Sequence, residues 1–304
     1  MTIETGEQRI PIDTPAGRFE VWTRRVGDNP TAKLLLLHGG PGATHEYFEG
    51  ADEHLKPAGI EYIYYDQLGS VHSDQPTDPD LWELERFVDE LEQVRTALGL
   101  DRSNFFLLGH SWGGILATEY ALRHGENLKG LVISNMMASC PAYNAYAQDV
   151  LKPSMDQTAL REIEALEASG DTENPRYMEL LMEHHYQHHV FRRPAAEWPD
   201  AVNRAFRINQ QIYVSMQGPS ELGLSGKLSD WDRSAELRDI EVPTLVIGAA
   251  HDTMDPAYMA WMASHLPNGR YLHCAEGSHM AMWDDEDTYW DGLIDFIQTV
   301  DRPT

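Results

Sequence analysis

The chain has 304 residues, of which 42% are hydrophobic, and this length is enough for one large α/β domain with an insertion and a sizeable buried core. Its 23 basic residues against 49 acidic residues give a formal net charge of −26, so we expect no binding to nucleic acid or to an anionic membrane surface. The two cysteines, Cys140 and Cys274, match no metal-ligand or redox spacing, which argues against chemistry through sulfur.

The start of the chain and its hydropathy predict a location. The first residues, MTIETGEQRI, lack a basic start followed by an apolar run, so we expect no cleaved signal peptide. The most apolar short run, residues 34–37, is far too short to span a bilayer. We therefore expect a cytoplasmic protein with no membrane partner.

Short apolar runs bounded by turn residues predict strands, and helical periodicity predicts helices between them. The predicted strands are 19–23, 33–37, 61–65, 104–108, 130–134, 244–247 and 269–273. The predicted helices between or after them are 44–56, 81–98, 112–124, 256–266 and 286–299. Because strands and helices alternate, we expect an α/β fold with a mostly parallel central sheet and helices on both faces.

The alternation stops near Pro141 and resumes near Pro243. Between them the spacing is helical, without strand patterns. The predicted helices of this segment are 142–151, 158–168, 175–190 and 196–216, and a turn region follows at 218–229. We therefore assign residues 1–140 and 241–304 to the α/β core and residues 141–240 to an inserted helical cap.

The stretch FFLLGHSWGG predicts a catalytic serine. Gly109, Ser111 and Gly113 fit Gly-x-Ser-x-Gly between a predicted strand and a predicted helix, where glycines permit a strained turn that exposes the serine hydroxyl. Ser111 is therefore the candidate nucleophile. Epoxide hydrolases and dehalogenases use aspartate at this position, so the serine argues against both activities.

A serine hydroxyl needs a base and a group that orients that base. Asp252 follows the strand 244–247, and His279 follows the strand 269–273. Both lie just past the carboxyl end of a strand, where open α/β sheets gather their active sites. Together with Ser111 they have the expected order of serine, acid and histidine.

Each of these two assignments has an alternative. Asp255 is a second candidate acid, although the following Pro256 predicts that it caps a helix. His251 and His273 are further histidines near the same strand ends, with a structural role as the simpler interpretation.

The reaction also needs hydrogen-bond donors for the oxyanion. The backbone N–H of Trp112, the residue after the nucleophile, is one candidate. The sequence LLLLHGGPG places Gly39, Gly40 and Pro41 directly after a buried strand. Glycines let a backbone approach a substrate closely and proline stiffens the turn, so the N–H of Gly39 or Gly40 is the second candidate.

Several motifs are spread over nearly the whole chain. They are HGGPG (38–42), YDQLGS (65–70), GHSWGG (109–114), MQGPSEL (216–222), the segment around Asp252, and GSHMAMW (277–283). In these motifs the chain resembles the proline iminopeptidase family of serine peptidases, within the α/β-hydrolase superfamily. The resemblance implies the α/β-hydrolase fold and removal of an unblocked N-terminal residue, often proline, from a peptide, amide or arylamide, without metal or cofactor.

The resemblance also implies an acidic anchor for the free amine of the substrate. On the family pattern this anchor is Glu221, since a carboxylate in a partly dry pocket pairs with an ammonium group. Glu46 is a second candidate, with a surface position in the first helix as the alternative. Two positions depart from the family: Thr253 stands where one branch has a second acidic residue, and Leu68 stands where many relatives have arginine.

The segment EHHYQHH has pairs of histidines four residues apart, a spacing that can bind a metal. No further ligand pattern completes such a site, so we expect no functional metal. The alternative enzymatic functions keep the acylation chemistry and change the substrate to an amino-acid amide, an aminoacyl natural product or an ester. A non-catalytic binding protein of this fold is disfavoured because all the candidate catalytic residues are present.

Overall fold

The computed structural model of the chain describes residues 6–302 and contains one eight-stranded sheet with the order β1-β2-β4-β3-β5-β6-β7-β8. The strands β1 to β8 are Gly6–Thr14, Gly17–Val26, Lys33–Leu37, Glu61–Asp66, Phe105–His110, Gly130–Ser134, Thr244–Ala249 and Gly269–Cys274. β1 and β2 are antiparallel to their neighbours, whereas β3 to β8 are parallel. The predicted mostly parallel sheet and its seven strands are thus confirmed.

Thirteen α-helical segments, together with shorter 3₁₀ and π turns, accompany the sheet in residues 6–302. The helices α1 to α13 are Ala51–His54, Leu84–Ala97, Trp112–His124, Cys140–Tyr146, Lys152–Ser154, Gln157–Ser169, Pro175–Leu181, Gln187–His189, Asp200–Ala205, Gln210–Met216, Pro256–His265, Ala281–Asp284 and Glu286–Asp301. None of the helices in this part of the chain is long and apolar enough to cross a membrane.

The strands at the centre of the sheet form the core. All side chains of β4, β5 and β6 are buried, as are the four leucines of β3. Parallel strands covered on both faces read as continuous apolar runs, and this is why the sequence pattern located them. The carboxyl ends of these strands therefore form a rigid edge on which the following loops are placed.

Two predicted helices are interrupted by non-helical residues in the structure, whereas the predicted helix 175–190 runs from α7 through a π turn to α8. Instead of one helix over 44–56, a 3₁₀ turn at His45–Phe48 precedes α1. The predicted helix 196–216 is broken into α9 and α10, because the backbone N–H of Asn209 donates to Gly42 O at 2.9 Å and its side chain donates to Gly69 O at 2.9 Å. These contacts to the core replace helical hydrogen bonds between α9 and α10.

Seven helices, α4 to α10, lie between β6 and β7 in the segment predicted to form the cap. This segment contacts the carboxyl edge of the sheet through backbone hydrogen bonds. His279 N–H donates to His189 O and Met280 N–H donates to Val190 O, both at 2.9 Å. The inserted helices are thereby held beside the loop that carries His279.

Candidate active site

The turn between β5 and α3 has the backbone conformation predicted for the serine. Ser111 has φ of 56° and ψ of −127°, a region that residues other than glycine rarely occupy. A Cβ atom on Gly109 would stand 1.9 Å from Gly113 O, and one on Gly113 would stand 2.3 Å from Leu37 O. Both glycines of the motif are therefore required by close backbone packing around the strained serine.

Ser111 and His279 line the same cavity, and Asp252 lies behind the histidine. His279 Nδ1 is 2.8 Å from Asp252 Oδ1, so the carboxylate accepts the Nδ1 proton and leaves Nε2 as the basic nitrogen. The backbone N–H of Met254 also donates to Asp252 Oδ1, at 3.2 Å. The structure thus brings the three sequence-predicted residues together, with Ser111 and His279 on one cavity and Asp252 bonded to His279.

The alternative acid and histidines lie outside this arrangement. Asp255 caps α11 by accepting a hydrogen bond from Ala257 N–H at 2.9 Å. His273 is exposed, with its ring near the Tyr271 hydroxyl. His251 lines a separate surface pocket.

The charges around the buried pair Asp252 and His279 shift the pKa values of both residues. Burial raises the pKa of Asp252, but the facing His279 and the hydrogen bond from Asn135 outweigh it, so the pKa lies below its ordinary value. Burial lowers the pKa of His279, but the negative charges of Asp252 and Glu221 outweigh it, so that pKa lies above its ordinary value. His279 is therefore suited to take a proton near neutral pH.

Asn135 is a site residue that the sequence analysis missed. Its Nδ2 donates to Asp252 Oδ2 at 2.7 Å and to Ser278 O at 3.2 Å, and its φ is 53°. It occupies the first position after β6, at the same edge of the sheet as the other site residues. That position was the available signal, since polar residues directly after central strands collect at this edge.

The two glycines of HGGPG differ in what their amides contact. Gly39 N–H donates to the Tyr47 hydroxyl at 2.6 Å, so the prediction that it is free to bind an oxyanion is wrong for this conformation. Among residues 6–302 the N–H of Gly40 has no acceptor. Trp112 is the first residue of α3, so its N–H has no partner within the helix. The amides of Gly40 and Trp112 are therefore available beside Ser111.

Gly39 is nevertheless needed for its size. A Cβ atom there would stand 2.8 Å from Ser111 Cβ and 3.3 Å from His110 O. Real contacts of Cβ atoms essentially never fall below 3.0 Å. The loop after β3 can approach the serine this closely only because residue 39 has no side chain.

Glu221 faces the same cavity as Ser111 and His279. Its Oε1 accepts a hydrogen bond from the Tyr213 hydroxyl at 2.5 Å, and its backbone O accepts one from the Tyr143 hydroxyl at 2.7 Å. Burial raises its pKa above the ordinary value. Within residues 6–302 no Lys, Arg or His side chain lies within ion-pair distance of its carboxylate. The carboxylate of Glu221 is thus fixed by hydrogen bonds, and it has no cationic partner among residues 6–302.

Glu46 has a different environment. Its buried carboxylate accepts hydrogen bonds from Arg204 Nε at 2.9 Å, from Arg207 Nη2 at 3.2 Å and from Thr44 Oγ1 at 2.8 Å. It does not line the cavity that contains Ser111. The predicted amine contact of Glu46 is therefore replaced by an ion-pair cluster that joins the loop after β3 to α9 and the residues just after it.

The remaining walls of the cavity are mostly apolar. They are formed by Ala43, Val190, Ala205, Phe206, Ile208 and Met280, with Tyr47 and His110 as further polar residues. Thr253 lies behind this wall, with its Oγ1 3.2 Å from Asp252 Oδ1 and 3.3 Å from His279 Nδ1. Leu68 is buried in the core. The cavity therefore suits an apolar residue with one positive charge.

The histidines of EHHYQHH do not assemble a metal site. His185 Nε2 donates to Glu221 O and His189 Nδ1 donates to His251 O, both at 3.0 Å. In the described part of the chain, the one group of three candidate ligands within 4.8 Å is His45, Asp66 and His72. Asp66 already accepts from the His45 ring at 2.7 Å, and this group is not part of the cavity.

Known proteins resemble the chain over most of its length. Residues 33–286 match the family model of the α/β hydrolase fold. Proline iminopeptidases of Flavobacterium johnsoniae and Elizabethkingia meningoseptica are 54% and 53% identical to it, over 96% of this chain and 98% of each relative. The crystal structure of proline iminopeptidase from Mycobacterium smegmatis is 29% identical, covers 97% of this chain and 99% of its own, and has a TM-score of 0.83.

Proposed function

The chain belongs to the proline iminopeptidase family within the α/β-hydrolase fold, and from this premise we propose that it releases the N-terminal residue of peptides through an acyl-enzyme on Ser111. The observation that carries the proposal is the cavity itself. Ser111, His279 and Glu221 line one mostly apolar enclosure, and this supports their roles as nucleophile, base and amine anchor.

The reaction follows from the contacts around Ser111. Its hydroxyl attacks the carbonyl of the first residue while His279 Nε2 takes the proton, and Asp252 stabilises the imidazolium that forms. The amides of Gly40 and Trp112 donate to the oxyanion. His279 then protonates the leaving nitrogen, and the C–N bond breaks to give the acyl-enzyme. Water attacks this ester while His279 takes its proton. The bond between Ser111 Oγ and the acyl carbon then breaks as His279 returns that proton to Oγ, which releases the residue as a free amino acid and restores the enzyme.

Glu221 determines which carbonyl of the substrate reaches Ser111, because it binds the α-amine of the first residue. A free α-amine is an ammonium group at neutral pH, and it forms a charge-assisted hydrogen bond with the Glu221 carboxylate. That carboxylate has no Lys, Arg or His at ion-pair distance within the described residues 6–302. Tyr213 and Tyr143 hold that carboxylate and its backbone in place. Fixing the amine in this way presents only the carbonyl of the first residue to Ser111, so the enzyme removes one residue at a time.

We further propose that residues 141–240 act as the cap over this site. Five residues of that segment line the cavity together with Ser111: Val190, Ala205, Phe206, Ile208 and Glu221. A cap of this kind supports small substrates such as short peptides or amino-acid amides. A cytoplasmic location also remains our prediction, and cell fractionation tests it.

The alternatives share the acylation chemistry and differ in the substrate. Amino-acid amides, aminoacyl natural products and simple esters would all reach Ser111. The unpaired carboxylate of Glu221 favours substrates with a free amine over simple esters, and the named relatives favour peptides.

A substrate panel tests the proposal. Prolyl arylamide is compared with the same compound carrying an N-acetyl group, and fluorophosphonate labelling is measured on the native chain and on Ser111→Ala. We expect cleavage of the free-amine compound only and labelling of the native chain only. Equal cleavage of both arylamides contradicts the aminopeptidase function, and a folded native chain without a Ser111 adduct contradicts the nucleophile.

A further inference from the structure

We infer that Tyr47 is a positioning residue for the oxyanion site. Its hydroxyl connects the loop after β3 to His110, the residue before Ser111, and His110 in turn contacts the loop that carries His279. The Tyr47 hydroxyl oxygen is 2.6 Å from Gly39 N and 3.0 Å from His110 Nδ1, and His110 Nε2 is 2.7 Å from His279 O. The inference rests on the proposed function, since an oxyanion forms only when Ser111 attacks a carbonyl.

The direction of each proton in this chain of hydrogen bonds is determined. The His279 carbonyl can only accept, so His110 Nε2 carries a proton. Burial, followed by the charge of His279, lowers the pKa of His110 to about 3, so the ring is neutral and its Nδ1 is an acceptor. Tyr47 therefore donates to His110 Nδ1 and accepts from Gly39 N–H. Burial raises the pKa of Tyr47, which keeps its hydroxyl protonated.

These bonds orient two successive peptide planes of the HGGPG loop. The first plane is held at both ends, since Gly39 N–H donates to Tyr47 and His38 O accepts from Gln67 Nε2 at 3.1 Å. In the second plane, Gly39 O accepts from His38 Nδ1 at 2.9 Å. The C=O and N–H of a trans peptide point in opposite directions, so Gly40 N–H is directed away from the His38 ring. The loop thus presents the amide of Gly40 rather than that of Gly39.

The same hydrogen bonds connect the oxyanion donor at Gly40 with the base at His279. The hydrogen bond at one end of this series fixes the loop that holds the Gly40 amide. The hydrogen bond at the other end fixes the backbone of His279, the base. His110 lies between them with its ring centroid 4.9 Å from that of His279. Because His110 stays neutral, it does not compete for the proton that His279 takes from Ser111. A positioned donor is worth most at the moment when the oxyanion forms.

The test is Tyr47→Phe, which removes the hydroxyl and keeps the ring in the cavity wall. We expect kcat for prolyl arylamide to fall about 10- to 100-fold with KM within about threefold, less than the about 10²- to 10³-fold loss from deleting a whole oxyanion donor. Binding of a prolyl boronic acid, whose adduct is tetrahedral, should weaken by the same factor. Inhibition by free proline, which forms no tetrahedral adduct, should not change.

Tyr120→Phe is the matched control, because its buried hydroxyl donates to Glu92 at 2.7 Å and Tyr120 is not part of the cavity. It should keep native kcat. Equal weakening of boronic acid and proline binding by Tyr47→Phe, or native boronic acid binding, overturns the inference. Cleavage of prolyl arylamide by the native enzyme tests the proposed function. Boronic acid binding tests the role of Tyr47 separately, because it requires only an adduct at Ser111 and no turnover.

A second variant covers the case in which Tyr47→Phe folds poorly. His110→Gln keeps a donor for the His279 carbonyl and removes the ring nitrogen that accepts from Tyr47. We expect a loss of boronic acid affinity similar to that of Tyr47→Phe. If the two residues act as one unit, the double variant loses no more affinity than either single variant, whereas losses that multiply contradict the inference.

Discussion

Replacing Glu221 with glutamine removes one negative charge from the cavity and changes the shape of the side chain little. The amide oxygen of glutamine can still accept the hydrogen bond that Tyr213 donates to Oε1 at 2.5 Å. What disappears is the charge that faces the substrate ammonium. Among residues 6–302 no other carboxylate lines this cavity, and Glu46 is already bound by Arg204 and Arg207. The change therefore isolates the contribution of charge to substrate binding.

The size of the effect follows from this environment. A hydrogen bond between an ammonium and a carboxylate stabilises a complex by about 2–3 kcal/mol, and each 1.4 kcal/mol is a factor of about ten. We therefore expect kcat/KM of Glu221→Gln for prolyl arylamide to fall about 30- to 150-fold. For a short ester without an amine, the same variant should stay within about threefold of the native enzyme.

The assay compares the two substrates on each of three proteins: native, Glu221→Gln and Glu46→Gln. Glu46→Gln is the matched control, because its carboxylate is bound by Arg204 and Arg207 outside the cavity. Any loss it causes should be equal for amine and ester substrates. Equal losses on both substrates in Glu221→Gln would refute the amine-anchor role.

The same variant makes a second prediction, about pH. Burial lowers the pKa of His279, while the charges of Asp252 and then Glu221 raise it, with a net shift above the ordinary value of 6.5. His279 acts as a base when neutral, so kcat/KM falls as pH decreases through this pKa. Removing the charge of Glu221 lowers that pKa and should move the acid limb to lower pH on the ester. An acid limb that moves to higher pH contradicts this electrostatic coupling.

Two further variants test the support of the site. Asn135→Ala removes the donor to Asp252 Oδ2, so we expect kcat to fall about tenfold and unfolding to cost about 1.5–3 kcal/mol less; native kcat would contradict its role. Gly39→Ala places a methyl group 2.8 Å from Ser111 Cβ, so we expect kcat to fall at least about 100-fold with the fold retained by circular dichroism. Turnover above half the native rate would show that the loop can move aside.

The central strands and the candidate catalytic residues could be predicted from sequence for one physical reason. Parallel strands buried on both faces leave continuous apolar runs, and the residues just after them lie at one edge of the sheet. Ser111 and Asp252 each follow such a strand closely, and His279 follows β8, a parallel edge strand that is only partly buried. Their proximity in space is thus a consequence of strand order, which the alternation of strands and helices already indicates.

Elements at the margins of the fold were harder to predict. β1 was missed because only Ile10 and Ile12 of its nine residues are buried apolar side chains, and Pro11 stands between them. Proline is tolerated there because β1 is an edge strand with one neighbour, β2. The break between α9 and α10 depends on Asn209 bonding to Gly42, a contact that no local periodicity encodes.

The residues that orient the site have no such local signal. Asn135 reaches Asp252 across 117 positions of the chain, and Tyr47 reaches His110 across 63. Asparagine at a strand end and tyrosine in a helical turn are ordinary residues until the fold places an acceptor beside them. Tyr47 even has an apolar ring that fits a core interpretation equally well. Nucleophile and base are therefore identified by motif and strand position, whereas orienting groups are identified only once distances between segments are known.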